Sequence, residues 1–304
     1  MKAAKPDWIK VRLPSGQKYK EISSLLKSKK LHTVCEEAKC PNIAECWSGG
    51  TATLMLMGDT CTRGCRFCAV KSGIPSLPPD PLEPIKSAQT VASMGLEYVV
   101  LTSVDRDDLE DFGAGHFAKV IDTIHRECPG VLVEALVPDF QENFASIETL
   151  CASKPEVFAH NIEVVERLTR SIRDQRSGYA SSLNVLEQCK KINPRQLTKS
   201  SIMLGLGETD QELNQAFQDL RSVGVDFLTI GQYLRPSQKH AAVVEYVHPE
   251  KFETLKAFAL SFGFAYVASG PLVRSSYRAG EFFISSMIRN QQQAQQMEGI
   301  DHGI

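Results

Sequence analysis

"TLMLMGDTCTRGCRFCAV", residues 53–70, joins an apolar run to a loop that carries Cys61, Cys65 and Cys68. The run has the length and composition of a buried strand, and the cysteines follow it in the spacing C-x-x-x-C-x-x-C. A structural zinc ion takes four ligands, and a disulfide framework needs an even number of cysteines. Three thiolates on one loop instead suit an iron–sulfur cluster with one iron left open, as a catalytic metal site requires. The zinc alternative needs a fourth ligand from a distant part of the chain.

The composition indicates a globular protein, because 42% of the 304 residues are hydrophobic and 23% are charged. The formal net charge of -2 gives no general basic surface, so nucleic acid is not an expected partner. The sequence begins without the apolar core of a signal peptide and contains no run long enough to span a membrane. We therefore expect a cytoplasmic monomer without a membrane partner, in which the nine cysteines are reduced.

Six apolar runs alternate with amphipathic helical patterns along the rest of the chain. The runs cover residues 53–57, 97–103, 131–137, 156–160, 201–206 and 226–234, and the helical patterns cover 84–94, 116–128, 181–192, 210–223 and 250–262. Such alternation is typical of βαβ units around a parallel sheet. We expect an α/β fold, a partial parallel (β/α) barrel of about six strands. A further apolar run lies at 264–270.

Distinctive polar stretches follow each predicted strand, among them "SVDRDD" after the second and "HNIE" after the fourth. In a parallel barrel the loops at the carboxyl ends of the strands build one shared site. The predicted organisation is an N-terminal extension at 1–50, the barrel at 51–263, and a C-terminal segment at 264–304 that closes over the site. The last 15 residues, "NQQQAQQMEGIDHGI", are predicted to form a frayed helix or a disordered tail.

A second cysteine triplet lies in the extension, where Cys35, Cys40 and Cys46 have the spacing C-x4-C-x5-C. Two triplets so close in sequence predict two clusters in one protein. Disulfides between the triplets are disfavoured in a reducing compartment. The three remaining cysteines lack ligand spacing and are predicted to pack as small apolar side chains; they are Cys128, Cys151 and Cys189.

The triplet on the barrel loop resembles that of the radical SAM superfamily, and the two triplets together resemble the lipoyl synthase family. The resemblance runs from "KPDWIKVRLP" to "GPLVRSSYRA" and includes "EEAKCPNIAECW", "YVVLTSVDRDDLEDFGAGHF", "KSSIMLGLGET" and "FLTIGQYLRPS". One departure is Ala159, where the family usually has Asn. A biotin-synthase-like sulfurtransferase should lack the upstream triplet, and a tRNA methylthiotransferase should carry a further nucleic-acid domain. A two-cluster electron-transfer protein would not need converging barrel loops.

The resemblance implies insertion of two sulfur atoms at C6 and C8 of an octanoyl chain held by a lysine of a carrier domain. The carrier would be of the 2-oxoacid dehydrogenase E2 or glycine cleavage H protein type, and the electron donor of the ferredoxin or flavodoxin type. Cys61, Cys65 and Cys68 would be catalytic, holding the [4Fe–4S] cluster that cleaves S-adenosylmethionine (SAM) to a 5′-deoxyadenosyl radical. The upstream triplet, Cys35, Cys40 and Cys46, would hold an auxiliary [4Fe–4S] cluster that supplies sulfur. Its fourth ligand would be Ser276 in the R-S-S-Y motif.

Six further residues are candidate contacts to SAM. Phe67 offers an aromatic face for the adenine, and three residues after the second strand face the methionine end: Thr102, Ser103 and Asp105. Glu134 and Asn161 would reach the ribose or the carboxylate from the third and fourth strands. The alternative for Asp105 and Asp107 is pairing with Arg106 or capping of the next helix. His160 fits either a catalytic or a structural role, and Arg274 and Arg278 would meet acidic residues of the carrier.

Overall fold

The computed structural model describes residues 5–9, 17–37, 40, 42–48, 53–276 and 284–289. Its strands are β1 (His32–Thr33), β2 (Thr53–Leu56), β3 (Thr60–Cys61), β4 (Lys71–Ser72), β5 (Tyr98–Ser103), β6 (Leu132–Leu136), β7 (Val157–Ala159), β8 (Leu197–Leu204), β9 (Phe227–Gln232) and β10 (Tyr266–Gly270). Its helices are α1 (Gln17–Lys29), α2 (Val34–Glu37), α3 (Ile43–Ser48), α4 (Glu83–Met94), α5 (Ala114–Glu127), α6 (Phe144–Ala152), α7 (Glu166–Ile172), α8 (Tyr179–Ile192), α9 (Asp210–Ser222) and α10 (Pro249–Ser261). Residues 284–289 are also helical, and short 3-10 turns occur at Asp7–Ile9 and Phe140–Glu142.

Eight strands form one sheet in the order β1-β2-β5-β6-β7-β8-β9-β10. Seven of them pair in parallel, and β1 alone pairs antiparallel, to β2. The predicted α/β fold with a mainly parallel sheet is confirmed. The expected number of about six strands is too low, because the apolar run at 264–270 adds β10 beside β9. The segment beyond residue 263 therefore begins with a strand of the barrel.

The two faces of the sheet pack against different partners, as the alternation of side chains along a strand requires. On one face, Val99 and Val133 belong to the main core with the surrounding helices. On the other face, Tyr98 and Leu132 pack with Ile284 and other residues. Tyr98 and Leu132 are the first residues of their strands, so the helix at 284–289 covers the amino ends of the strands. Residues 284–289 of the C-terminal segment therefore lie at the end of the sheet opposite to the carboxyl ends of the strands.

A local sequence signal explains where α9 begins. Thr209 caps α9, since its hydroxyl accepts from Glu212 N–H and the Glu212 carboxylate accepts from Thr209 N–H.

Cys128, Cys151 and Cys189 are buried, as predicted. Within the residues that the structure describes, no helix is long and apolar enough to cross a membrane. The predicted tail at 290–304 lies outside the described residues.

Candidate active site

A cavity of about 610 Å³ lies at the carboxyl ends of the parallel strands. The barrel strands and the loops after them contribute to its wall, as do the N-terminal extension and the C-terminal segment. The lining includes Cys35, Cys40, Cys46, Thr53, Arg63, Cys65, Phe67, Cys68, Thr102, Ser103, Asp105, Asp139, His160, Asn161, Glu163, Gln232, Arg274 and Ser276. The three cysteines of the extension, Cys65 and Cys68 of the barrel loop, and Ser276 therefore converge on one space, which the chain brings together from positions more than 200 residues apart. Cys61 is not part of the lining.

Cys61 ends β3, and Cys65 and Cys68 lie on the loop between β3 and β4. Backbone N–H groups point at the sulfur atoms of Cys61 and Cys65. Cys61 Sγ accepts from Asp105 N–H at 3.3 Å and from Arg63 N–H at 3.4 Å. Cys65 Sγ accepts from Asp174 N–H at 3.2 Å. Burial raises the pKa of the Cys61 and Cys65 thiols to about 12. In this dry site a metal has to displace the thiol protons, while the N–H groups then stabilise the thiolates.

The upstream triplet of Cys35, Cys40 and Cys46, called the auxiliary triplet below, lies in and between two short helices of the extension. Cys35 lies in α2, Cys46 lies in α3, and both are buried. Burial also raises the pKa of the Cys40 thiol. Ser276 lines the same cavity, and its Oγ accepts a hydrogen bond of 2.8 Å from the Thr53 hydroxyl. The Ser276 oxygen has a second lone pair, which is the one that could ligate a metal.

The C-terminal segment reaches the cavity by crossing β9 closely. A side chain at Gly231 would collide with the carbonyl oxygen of Val273, so only glycine permits this crossing. The amide of Asn42 donates to Leu272 O at 2.6 Å and ties the extension to the same segment. These contacts place Ser276 beside the auxiliary triplet.

Both triplets have the donor type that iron–sulfur clusters need. Among the described residues, no three His, Cys, Asp or Glu side chains converge closely enough to bind a single metal ion. Each thiolate of a [4Fe–4S] cluster binds a different iron, so its ligands stand farther apart than those of one zinc ion. Soft thiolates also favour iron–sulfur clusters. The thiol donors of each triplet therefore fit iron–sulfur chemistry.

Five of the six candidate SAM contacts line the cavity, namely Phe67, Thr102, Ser103, Asp105 and Asn161. Ser103 Oγ is buried and has no hydrogen-bond partner among the described residues, which leaves it available to a ligand. Burial raises the pKa of Asp105 to about 6, and its carboxylate lies 3.3 Å from Arg63 Nε. The pairing expected with Arg106 is wrong, because Arg106 binds Asp108 at 2.8 Å.

Glu134 is not a cavity residue, contrary to the prediction. Its side chain is fully buried, and both carboxylate oxygens accept from Lys199 Nζ at 2.8 Å. The Tyr98 hydroxyl adds a bond of 2.6 Å. This carboxylate neutralises a buried lysine inside the sheet, so Glu134 is not available to contact SAM.

Arg274 is also placed differently from the expectation of a docking residue. Its guanidinium turns into the cavity and donates to Val273 O at 2.7 Å and Gln232 O at 3.2 Å. Burial lowers its pKa, and its charge lies near Cys40. Arg274 therefore belongs to the auxiliary triplet's surroundings, whereas Arg278 lies outside the described residues.

Two cavity residues were not singled out by the sequence pattern. Glu163 lies after β7 with a left-handed φ of 65°, and Asn161 donates to its carboxylate at 3.1 Å. Burial raises the pKa of Glu163. Arg63 is buried with three aspartates around it. The stretch "HNIE" gave a signal for Glu163, but nothing in one sequence distinguishes Arg63 from a solvated arginine.

Comparisons with known proteins agree with this geometry. The family model described as the radical SAM superfamily matches residues 55–220, and the one described as the N-terminal domain of lipoyl synthase matches residues 2–40. A lipoyl synthase of Myxococcus xanthus is 57% identical over 94% of this chain and 96% of its own. A chloroplastic one of Ricinus communis is 56% identical over 94% of this chain and 80% of its own, and a mitochondrial one of Culex quinquefasciatus is 56% identical over 94% and 76%.

Solved structures show the same fold at low sequence identity. The FeFe-hydrogenase maturase HydG of Carboxydothermus hydrogenoformans has a TM-score of 0.57 at 16% identity, over 82% of this chain and 64% of that one. Methylornithine synthase PylB has a TM-score of 0.54 at 13% identity, over 84% and 79%. The partial barrel with its three-cysteine loop thus defines a radical SAM enzyme. Within that superfamily, the chain belongs to the lipoyl synthase family.

Proposed function

We propose that this protein inserts two sulfur atoms at C6 and C8 of an octanoyl chain bound to a lysine of a lipoyl carrier domain. The observation that carries the proposal is the convergence of all three extension cysteines, Cys65 and Cys68 of the barrel loop, and Ser276 on one cavity. An acyl chain entering this space would pass close to both sets of ligands. Its target C–H bonds are strong and nonpolar, so general acid–base groups alone are not sufficient.

The two sets of cluster ligands would have different functions. Cys61, Cys65 and Cys68 would hold the [4Fe–4S] cluster at which SAM binds, and Cys35, Cys40, Cys46 and Ser276 would hold the auxiliary one. When bound, these groups supply hydrogen-atom abstraction and sulfur, and the protein supplies position and electrostatics. The oxygen of Ser276 would be a hard ligand among soft sulfur donors, and therefore a poorly matched one.

The remaining cavity residues would bind SAM and exclude water. Phe67 presents its ring to the adenine, the unpaired Ser103 hydroxyl receives a polar group, and Asp105 and Glu163 offer acceptors. Apolar side chains from three strands would surround the acyl chain and keep water from the reacting carbons; they include Met55, Leu136 and Ile202.

The partners follow from the same proposal. The substrate would be an octanoylated domain of the E2 or H protein type, docking at the cavity mouth, and a ferredoxin- or flavodoxin-type protein would supply electrons. We propose a monomer, since one chain provides both triplets. A cytoplasmic location remains the prediction from the sequence, and the named relatives include chloroplastic and mitochondrial proteins.

The test is an anaerobic reaction with an octanoylated carrier domain, SAM and dithionite. Mass spectrometry of the carrier should show the gain of two sulfur atoms, with no change in hydrogen for the dithiol product or the loss of two hydrogens for its cyclic disulfide, together with 5′-deoxyadenosine. Cys40→Ala should still form 5′-deoxyadenosine but no thiolated carrier, and Cys65→Ala should form neither. Cys128→Ala, a buried cysteine outside both triplets, is the matched control. Normal product from Cys40→Ala would contradict the proposal.

A further inference from the structure

A buried arginine lies inside the loop that carries the barrel cysteines. The side chain of Arg63 is 3% exposed, although arginine is almost never buried without partners. Its two terminal nitrogens donate to Asp139 Oδ1 and Oδ2 at 2.6 Å each. Its Nε and one terminal nitrogen also donate to Asp107, at 3.1 and 2.9 Å. The planar guanidinium thus makes two forked ion pairs at once, which lysine cannot reproduce.

These bonds join the cysteine loop to three other loops of the barrel. Asp107 follows β5, Asp139 follows β6, and Ser177, which accepts from Arg63 at 3.1 Å, precedes α8. The loop after β5 and the loop before α8 also supply N–H donors to the sulfur atoms, in addition to the N–H of Arg63 itself. Asp105 N–H binds Cys61 Sγ, and Asp174 N–H binds Cys65 Sγ. Arg63 therefore holds together the cysteines and the backbone groups that solvate them.

The charge of Arg63 is more than balanced by its neighbours. Asp105, Asp107 and Asp139 surround it, and Arg176 adds the second positive charge through Asp107 at 3.1 Å. Three carboxylates against two guanidinium groups leave no net positive field from this network. An effect of Arg63 on a nearby cluster would consequently act through geometry, that is, through the N–H···S distances.

We propose that Arg63 is a positioning residue that raises the reduction potential of the cluster on the barrel triplet by fixing the N–H···S bonds to Cys61 and Cys65. Hydrogen bonds to cluster sulfur atoms stabilise the reduced, more negative state and so raise the potential. The inference rests on the proposed function, because it requires a cluster at this triplet. Its chemical consequence is an easier one-electron reduction of the cluster before SAM is cleaved.

Two variants separate geometry from charge. Arg63→Lys keeps the positive charge but loses both forks, so the geometric effect predicts a more negative potential. Asp139→Asn removes a negative charge, which by its field alone would raise the potential, whereas loss of the fork to Arg63 should lower it. Arg167→Gln is the matched control, because Arg167 also forks onto a carboxylate, Glu212, at 2.6 and 3.1 Å, but on the surface.

The measurement is an anaerobic redox titration of the barrel cluster, followed by electron paramagnetic resonance, without SAM. The full chain would carry Cys35→Ala, Cys40→Ala and Cys46→Ala, so that only one cluster contributes. We expect Arg63→Lys and Asp139→Asn to retain the cluster with a more negative midpoint potential, and Arg167→Gln to match the parent.

Three results would overturn the inference: an unchanged potential in Arg63→Lys, a more positive potential in Asp139→Asn, or loss of the cluster from both variants, which would indicate a purely structural role. Failure of the proposed function would look different. The parent chain would then hold no barrel cluster, or the wild-type chain would cleave SAM without modifying the carrier.

Discussion

Ser276 supplies an oxygen where the extension supplies three thiols. It lines the cavity with them, and the Thr53 hydroxyl donates to it at 2.8 Å. Two other candidate residues have side chains that point elsewhere than expected. Arg274 turns into the cavity, and Glu134 neutralises Lys199 within the sheet. Sequence motifs single out Ser276 and the cysteines, and all of these except Cys61, Cys128, Cys151 and Cys189 line the cavity. The motifs do not reveal the directions of the Arg274 and Glu134 side chains, because a motif fixes residue type and spacing but not side-chain direction.

Replacement of Ser276 separates SAM cleavage from sulfur transfer. Ser276→Ala should leave 5′-deoxyadenosine formation intact, while thiolated carrier falls at least tenfold, because the auxiliary cluster loses the ligand that positions it. Loss of one hydrogen bond would by itself cost only about 1 kcal/mol of stability. Both products are measured in one anaerobic reaction, with Ser275→Ala as the neighbouring control. Full product yield from Ser276→Ala would show that this hydroxyl is not a required ligand.

His160 gives a prediction about stability and pH. Its Nδ1–H donates to Val137 O at 2.8 Å, and its Nε2 lies 2.9 Å from Ser182 Oγ, so the neutral ring is satisfied. Burial, with Arg173 nearby, lowers its pKa from 6.5 to about 4. The unfolded chain therefore binds a proton that the folded chain does not between these values, and stability falls as the pH drops from about 6.5 towards 4.

The size of this effect is measurable by urea unfolding of the iron-free protein. Between pH 7 and pH 5 the His160 contribution should cost about 2 kcal/mol. His160→Gln keeps a neutral polar group at the site and should remove this part of the pH dependence. Equal losses of stability in the variant and the wild type over this range would contradict the assignment.

Among the elements, those with simple patterns follow the sequence closely and those with buried polar groups do not. The predicted runs at 97–103 and 226–234 match β5 and β9 within two residues at each end. β8 starts four residues before its apolar run, because Thr198, Lys199 and Ser200 are polar yet buried. Lys199 is tolerated there only because Glu134 pairs with it from β6, a contact between strands that no local pattern encodes.

The crossing of the C-terminal segment over β9 predicts a specific glycine requirement. Gly231→Ala should push Val273 away from the strand and with it Ser276, so the auxiliary iron should be lost while the barrel cluster remains. The melting temperature should fall as well. Gly73→Ala is the control, because its added methyl would meet Thr60 at an ordinary distance of 3.5 Å. Iron analysis and thermal unfolding check both effects, and wild-type iron content in Gly231→Ala would exclude this role for the crossing.

At the scale of the whole molecule, the parallel sheet brings distant parts of the chain to one end of the fold. Loops at the carboxyl ends of its strands carry the barrel triplet and the candidate SAM contacts. The extension and the C-terminal segment then bring the second triplet and Ser276 to the same cavity. The motifs predicted both ligand sets, but only the folded chain gives their convergence, since it depends on the contacts between Asn42 and Leu272 and around Gly231.

The most direct test of two clusters facing one cavity is the iron and sulfide content after anaerobic reconstitution. The wild-type chain should hold about 8 iron atoms and a similar amount of labile sulfide, because each [4Fe–4S] cluster contributes about 4 of each. Replacing either triplet by alanine should leave about 4 iron atoms, and Cys128→Ala should leave all of them. About 4 iron atoms in the wild type, or zinc in place of iron at either triplet, would contradict the account.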